Sequence, residues 1–224
     1  MLLLFFIIPT FLFSQEFKVV GYLPHYYFSV ADEIDYSKLT HLNLAFANPN
    51  RNGDLDMTRK QIQPIVREAH RKNVKVCLSL GGGALLDEWW SAWQYLIKPG
   101  NRSRFISKLI RFTKKNNLQG IDVDLEWGNV NEDYSGFVLE LRDSMDLYDL
   151  ILTAALPAIH RYPNISDEAL AVYDWINIMA YDLTGPWTPN QSKHHSSFSF
   201  SERAVQFWKT QGVEARRLTL GLPF

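Results

Sequence analysis

Seven short apolar, β-branched or aromatic runs are interleaved with segments of helical period along the 224-residue chain, and no proline- or serine-rich linker separates them. That interleaving predicts an α/β fold, a parallel sheet whose crossovers are helices. The number of units favours a (β/α)8 TIM barrel over an open doubly wound sheet. No glycine-rich phosphate fingerprint follows the first strand, where a dinucleotide fold carries one. Only about seven strands can be counted, so the barrel is expected to be incomplete, without its eighth strand and last helices. Seven strands would leave two unpaired edges. The chain therefore reads as a C-terminally truncated piece of a longer barrel, or as one whose gap a partner fills.

The elements follow in order. "FKVVGYL" (17–23) and "LTHLNLAFA" (39–47) read as the first two strands. "QIQPIVREAH" carries Ile62, Ile65, Val66 and Ala69 at helical spacing. "VKVCLSLGG" (74–82) is a third strand, and "RFISKLIRFTKKNN" a helix with Phe105, Ile106, Leu109 and Ile110 inward. "GIDVDLEW" is a fourth strand, "YSGFVLELRDSM" a helix, and "DLILTAALP" (149–157) a fifth strand. "DEALAVY" is a short helix before a sixth strand, "WINIMAYD" (175–182). The helix "SFSERAVQFWKTQG" opens with Ser199 and Glu202 in capping-box spacing and closes on Gly212, and "RLTLGLPF" (217–224) is the seventh strand.

Composition narrows the function. Hydrophobic residues make up 46% and the net charge is −1, which describes a globular chain with a sizeable core, not a nucleic-acid binder with a Lys/Arg-rich face. The clusters "TKKNN" and "EARR" lie at helix ends and read as solvated surface. Seven Trp and 14% aromatic residues suit a core, and also flat apolar sugar faces. The opening "MLLLFFIIPTFLFSQ" holds twelve apolar residues, too few for a span of about 20. It reads as a secretory signal peptide over residues 1–15, leaving a barrel domain at 16–224, secreted and without a membrane partner after cleavage. An uncleaved anchor is the alternative. Cys77 is the sole cysteine, so no internal disulfide can form, and it reads as a small buried hydrophobe.

The stretch "LQGIDVDLEWG" places Asp122, Asp124 and Glu126 at alternate positions. Alternate residues of a strand share a face, so the three form a column about 6.6 Å apart per step. Both faces of a barrel strand are buried, and ionised groups there cost several kcal/mol unless paired or solvated. Barrel active sites lie at the C-terminal ends of strands, which puts Glu126 at the mouth and Asp122 deepest. Carboxyls so close cannot all ionise, so a proton is shared and one stays acidic near neutral pH. A carboxylic acid of that kind can protonate a leaving oxygen, as glycoside cleavage requires. Buried acids satisfied by the backbone, or a Mg²⁺ or Ca²⁺ site, are the alternative readings of the column.

"QGIDVDLE" resembles the signature D-G-x-D-x-D-x-E of family 18 glycoside hydrolases, the chitinase family, through Gly120, Asp122, Asp124 and Glu126. Gln119 stands where the family has its leading acid, with a small effect on electrostatics deep in the barrel expected. "SLGG" (Ser79 to Gly82) is similar to the family's S-x-G-G, and "MAYD" (Met179 to Asp182) to its M-x-Y-D. "GYLP" and "LNLAFA" also look like its first two strands. The resemblance spans roughly residues 17 to 224. It implies that Glu126 is general acid and then base, that Asp124 orients the substrate's 2-acetamido group, and that Asp122 shares a proton with Asp124. Tyr181 would donate to the acetamido carbonyl, Asp182 and Met179 would shape the same floor, and Ser79 would support the column. The substrate's own carbonyl oxygen would attack, with net retention and no metal or cofactor.

Tyr22, Phe46, Gly82 and Trp127 are candidate substrate contacts near the mouth, each with a structural alternative in the core or a turn, and Trp187 is a further candidate for stacking on sugar. The expected partner is a polymer containing N-acetylglucosamine, chitin or its oligomers. An endoglycosidase acting on N-glycans and a non-catalytic chitin-binding protein share every motif quoted. Metal-dependent hydrolysis is a further alternative, but no His-plus-carboxylate spacing supports zinc. A catalytic histidine at His25, His194 or His195 is not expected, because no Ser or Cys nucleophile pattern accompanies them.

Overall fold

The computed structural model describes residues 17–223; the expected signal segment lies outside the described residues. Seven strands form one sheet in sequence order: β1 (Val20–Pro24), β2 (His41–Ala47), β3 (Lys75–Gly81), β4 (Gly120–Asp124), β5 (Ile151–Pro157), β6 (Trp175–Met179) and β7 (Leu218–Leu220). Every neighbouring pair is parallel. This is the incomplete (β/α)8 barrel that the interleaved pattern predicts. Among the described residues β1 and β7 each pair on one side only.

Among the described residues, six α-helices connect the strands: α1 (Arg59–Arg71), α2 (Asp87–Leu96), α3 (Pro99–Lys115), α4 (Tyr134–Asp146), α5 (Asp167–Ala171) and α6 (Phe198–Thr210). The sequence reading lacks α2. Strands β4 and β6 end earlier than expected, at Asp124 and Met179, so Glu126 and Asp182 stand beyond the ladder. The cap of α6 is Ser197, whose side chain accepts from the Phe200 N–H, so Ser199 lies inside the helix. Gly212 ends that helix at φ 86°, as expected. No helix among the described residues is long and apolar enough to cross a membrane.

The period of two divides each strand between two environments. Leu78 and Leu80 of β3, Ile121 and Val123 of β4, and Leu152 and Leu156 of β5 face outward and are completely buried under the helices. Each such side chain contributes about 1.5–3 kcal/mol by leaving water. The helices answer with apolar stripes, such as Ile62, Ile65, Val66 and Ala69 on α1 and Phe105, Ile106, Leu109 and Ile110 on α3. The intervening strand positions face the lumen and are polar: Asn43, Ser79, Asp122, Asp124, Thr153 and Asn177 are all buried. A soft apolar layer outside and a polar lumen inside is the arrangement that gives the column of acids its partners. Cys77 is buried and free, and its thiol is pushed up by burial.

Candidate active site

The column starts at Asp122, which lies abreast of Ser79 on β3 and Thr153 on β5. Its two oxygens accept four hydrogen bonds. Oδ1 receives Thr153 Oγ1 at 2.5 Å and Asn177 Nδ2 at 3.0 Å. Oδ2 receives Ser79 Oγ at 2.7 Å and the Tyr22 hydroxyl at 3.0 Å. The donors come from β1, β3, β5 and β6. Asn177 is itself oriented, because its Oδ1 accepts from Thr219 Oγ1 at 2.6 Å and Trp175 Nε1 at 3.1 Å, which leaves its NH₂ for Asp122. Burial raises the Asp122 carboxyl, and the four donors pull it back by solvating the charge.

Asp124 has no such compensation. It is buried, its Oδ1 has no hydrogen-bond partner, and it lies between two other acids. Burial first, then the charges of Asp122 and Glu126, push its carboxyl well above the ordinary range. Asp124 thus lacks the donors that offset burial at Asp122. Among the described residues no hydrogen bond joins the two carboxyls.

Glu126 follows β4 in extended backbone and is half-buried at the rim. Burial raises its carboxyl, and the Asp182 charge raises it further. The turn after β3 is built around this acid. A Cβ on Gly83 would lie 2.8 Å from Glu126 Oε1, one on Gly82 (φ 90°) 2.7 Å from the Phe46 ring, and one on Gly81 (φ 96°) 2.6 Å from the Asp124 carbonyl oxygen. Helix α2 holds the turn in place: Trp93 Nε1 donates to Asn48 Oδ1 at 2.8 Å, and Asn48 Nδ2 donates to Gly81 O at 3.0 Å.

Strand β6 delivers the opposite wall. Tyr181 is half-buried, and burial with the charges of Asp124, Asp182 and Glu126 holds its phenol protonated, hence a donor. Its hydroxyl makes no hydrogen bond among the described residues. Met179 is partly buried and pairs in register with Pro157. Asp182 is exposed in left-handed backbone (φ 60°), with its Oδ1 3.4 Å from His195 Nε2.

Each candidate from the sequence thus has a place. Asp122, Asp124, Glu126, Tyr181, Asp182, Ser79 and Gly82 come together at the mouth and upper lumen. The Tyr22 hydroxyl belongs to the Asp122 network, and the residue is still partly open to solvent. Phe46 is partly buried against Gly82, and Trp127 (64% exposed) projects from the rim after Glu126. Trp187 is exposed too, on the loop that follows β6. Sequence reasoning missed Thr153, Asn177 and Tyr162. The first two were signalled by single polar residues at lumen positions of apolar strands. Tyr162, whose hydroxyl accepts the Trp127 N–H at 3.1 Å, comes from a loop and left no periodic signal. Among the described residues, no cluster of three His, Cys, Asp or Glu side chains is arranged to hold a metal ion.

Known proteins share this fold. A GH18 chitinase, ChiB, from the chitin utilization locus of Flavobacterium johnsoniae is 46% identical, with a TM-score of 0.91 over 94% of this chain and 69% of that one. A class V chitinase from Nicotiana tobaccum, solved in complex with NAG4, is 28% identical with a TM-score of 0.80, over 92% of this chain and 66% of that one. A chitinase-like effector of Moniliophthora roreri is 27% identical over 85% of this chain and 53% of its own length. The chain spans about half the length of the curated relatives it matches, 53% and 61% in two of them and 11% in a third. The family described as glycosyl hydrolases family 18 matches residues 18–224, and the chain belongs to it.

Proposed function

We propose that this barrel hydrolyses β-1,4-linked N-acetylglucosamine polymers, chitin or its oligomers, by a retaining, substrate-assisted route. The observation that carries this reading is the grading of the column: Asp122 saturated by four donors, Asp124 raised well above the ordinary range with one oxygen unpartnered, Glu126 raised at the rim. Glu126 donates its proton to the glycosidic oxygen as that bond breaks. The substrate's 2-acetamido carbonyl oxygen forms a bond to the anomeric carbon, giving an oxazolinium ion. Asp124 passes its proton to Asp122 and, as a carboxylate, accepts the acetamido N–H and steadies the positive charge, and the Tyr181 hydroxyl donates to the acetamido carbonyl. Glu126, now a carboxylate, takes a proton from water as the oxygen of that water adds to the anomeric carbon and the ring opens.

Support for the substrate comes from the tobacco relative, solved in complex with NAG4. The apolar run at 2–13 supports delivery by export, with removal of residues 1–15 and the barrel domain at 16–224. Carbohydrate binding without cleavage is the second reading, favoured by the relative named only as chitinase-like.

Replacing Glu126 by Gln decides between the two. On N-acetylglucosamine oligomers, kcat is expected to fall by about 10²–10⁴-fold while oligomer affinity and the melting curve stay unchanged. Wild-type protein that binds oligomers and releases no product would establish the second reading.

A further inference from the structure

We infer that His195 is a positioning residue for the acid cluster: its imidazole fixes Asp182 beside Glu126. The inference rests on the glycosidase reading above and adds a residue that the family signature does not contain. The segment 183–194 leaves the end of β6 and returns as a closed loop. Leu183 N–H donates to His195 O at 3.1 Å, Thr184 Oγ1 to Lys193 O at 2.8 Å, and Ser196 Oγ to Ala180 O at 2.6 Å. Inside that neck the imidazole touches two groups. Nδ1 lies 2.9 Å from the Thr184 carbonyl oxygen, which can only accept, so Nδ1 carries hydrogen; the tautomer is assigned from this contact. Nε2 faces Asp182, with the Asp182 backbone N–H 3.5 Å away and Oδ1 3.4 Å away.

Both protonation states of the ring tie Asp182. Neutral Nε2 accepts from the Asp182 N–H, and a protonated Nε2 donates to its carboxylate. Asp182 is exposed and sits in left-handed backbone, and His195 is the side chain that meets its carboxylate among the described residues. The titratable groups that face it are Glu126 and Tyr181 at the cleft, with Asp124 beneath them, and His195 on the loop. The location of the Asp182 charge therefore adds to burial in deciding how firmly Glu126 keeps its proton, the property a general acid depends on.

Two conservative replacements in the full chain separate this role from that of a loop staple. The amide of His195→Asn reproduces the Nδ1 donor to Thr184 O but falls short of Asp182, whereas the amide of His195→Gln reaches the Nε2 position. Glu126 is titrated by carboxyl-carbon NMR, which needs no turnover, and the alkaline limb of kcat/KM is measured on N-acetylglucosamine oligomers. In His195→Asn the Glu126 midpoint is expected to move to lower pH and kcat/KM to fall about tenfold. His195→Gln should restore both, and His195→Asn should have no further effect in an Asp182→Asn background. A Glu126 midpoint that stays put or rises in His195→Asn overturns the inference. An NMR shift in a chain without turnover would uphold it while removing the glycosidase reading.

Discussion

At Asp124, one side chain shows how a fold gives up stability to hold a proton. Its carboxyl is raised well above the ordinary range in the folded chain, so the native state binds a proton that the unfolded state releases earlier. Stability from that proton is full at acid pH, below the unfolded value. It is lost as pH rises through the raised native value. Asp124→Asn keeps the shape and removes the titration. The variant is expected to be inactive on N-acetylglucosamine oligomers yet more stable than wild type at neutral and alkaline pH, with the difference vanishing in acid. Urea melts across that pH range would reveal it; a wild-type advantage at alkaline pH would contradict the assignment of the proton. Asp122 is the counter-example, equally buried but solvated by four donors.

Among the elements, β4 obeys its period to the residue, and Gln119 shows the consequence. The lost acid of the family signature was expected to alter the barrel depths slightly. Gln119 instead lies on the outward parity, with Ile121 and Val123. Its Oε1 accepts the Val76 N–H at 2.8 Å and lies 2.9 Å from His70 Nε2, while its Nε2 donates to Asn117 O at 2.9 Å. It staples β4 to β3 and α1 and never faces the column. Gln119→Asp should therefore leave the pH–rate profile unchanged and cost about 1 kcal/mol of stability through disturbed hydrogen bonds. The turn after β3 is the opposite case. Gly81→Ala would place a Cβ 2.6 Å from Asp124 O at a φ of 96°, and should cost about 1–3 kcal/mol and displace the acid column. A thermal melt with a kcat measurement tests both effects. Helix α2 escaped the sequence reading because "DEWWSAWQYL" is rich in Trp, a residue of middling helix propensity that also suits a sugar platform. Trp93 commits to the core only because α3 and α4 offer it Phe105 and Phe137. The α6 cap moved two residues for a similar reason: both Ser197 and Ser199 qualify locally, and Ser196 bonded to Ala180 O fixes where the helix starts.

At the scale of the whole molecule, the parallel sheet brings donors from four strands onto one carboxylate, so ligand binding and global stability are linked. An N-acetylglucosamine oligomer at about 100 times Kd should add about 2.7 kcal/mol. For a chain of this size, at about 2–4 °C per kcal/mol, that raises Tm by about 5–11 °C. The Glu126→Gln protein suits the measurement, since it does not consume the ligand; an unchanged Tm would refute sugar binding at this mouth. The sequence by itself determined the barrel class, the order of the acids from deep to shallow and the glycine turn beside them, because periods of 2.0 and 3.6 and the conformational freedom of glycine are local properties. The tertiary structure alone decided which acid the donors surround and which loop histidine meets Asp182. The donors to Asp122 lie 31 to 100 residues away in the chain, and only strand register brings them within reach. A charge in a dry lumen is governed by what surrounds it in space, and that is set when the strands come together.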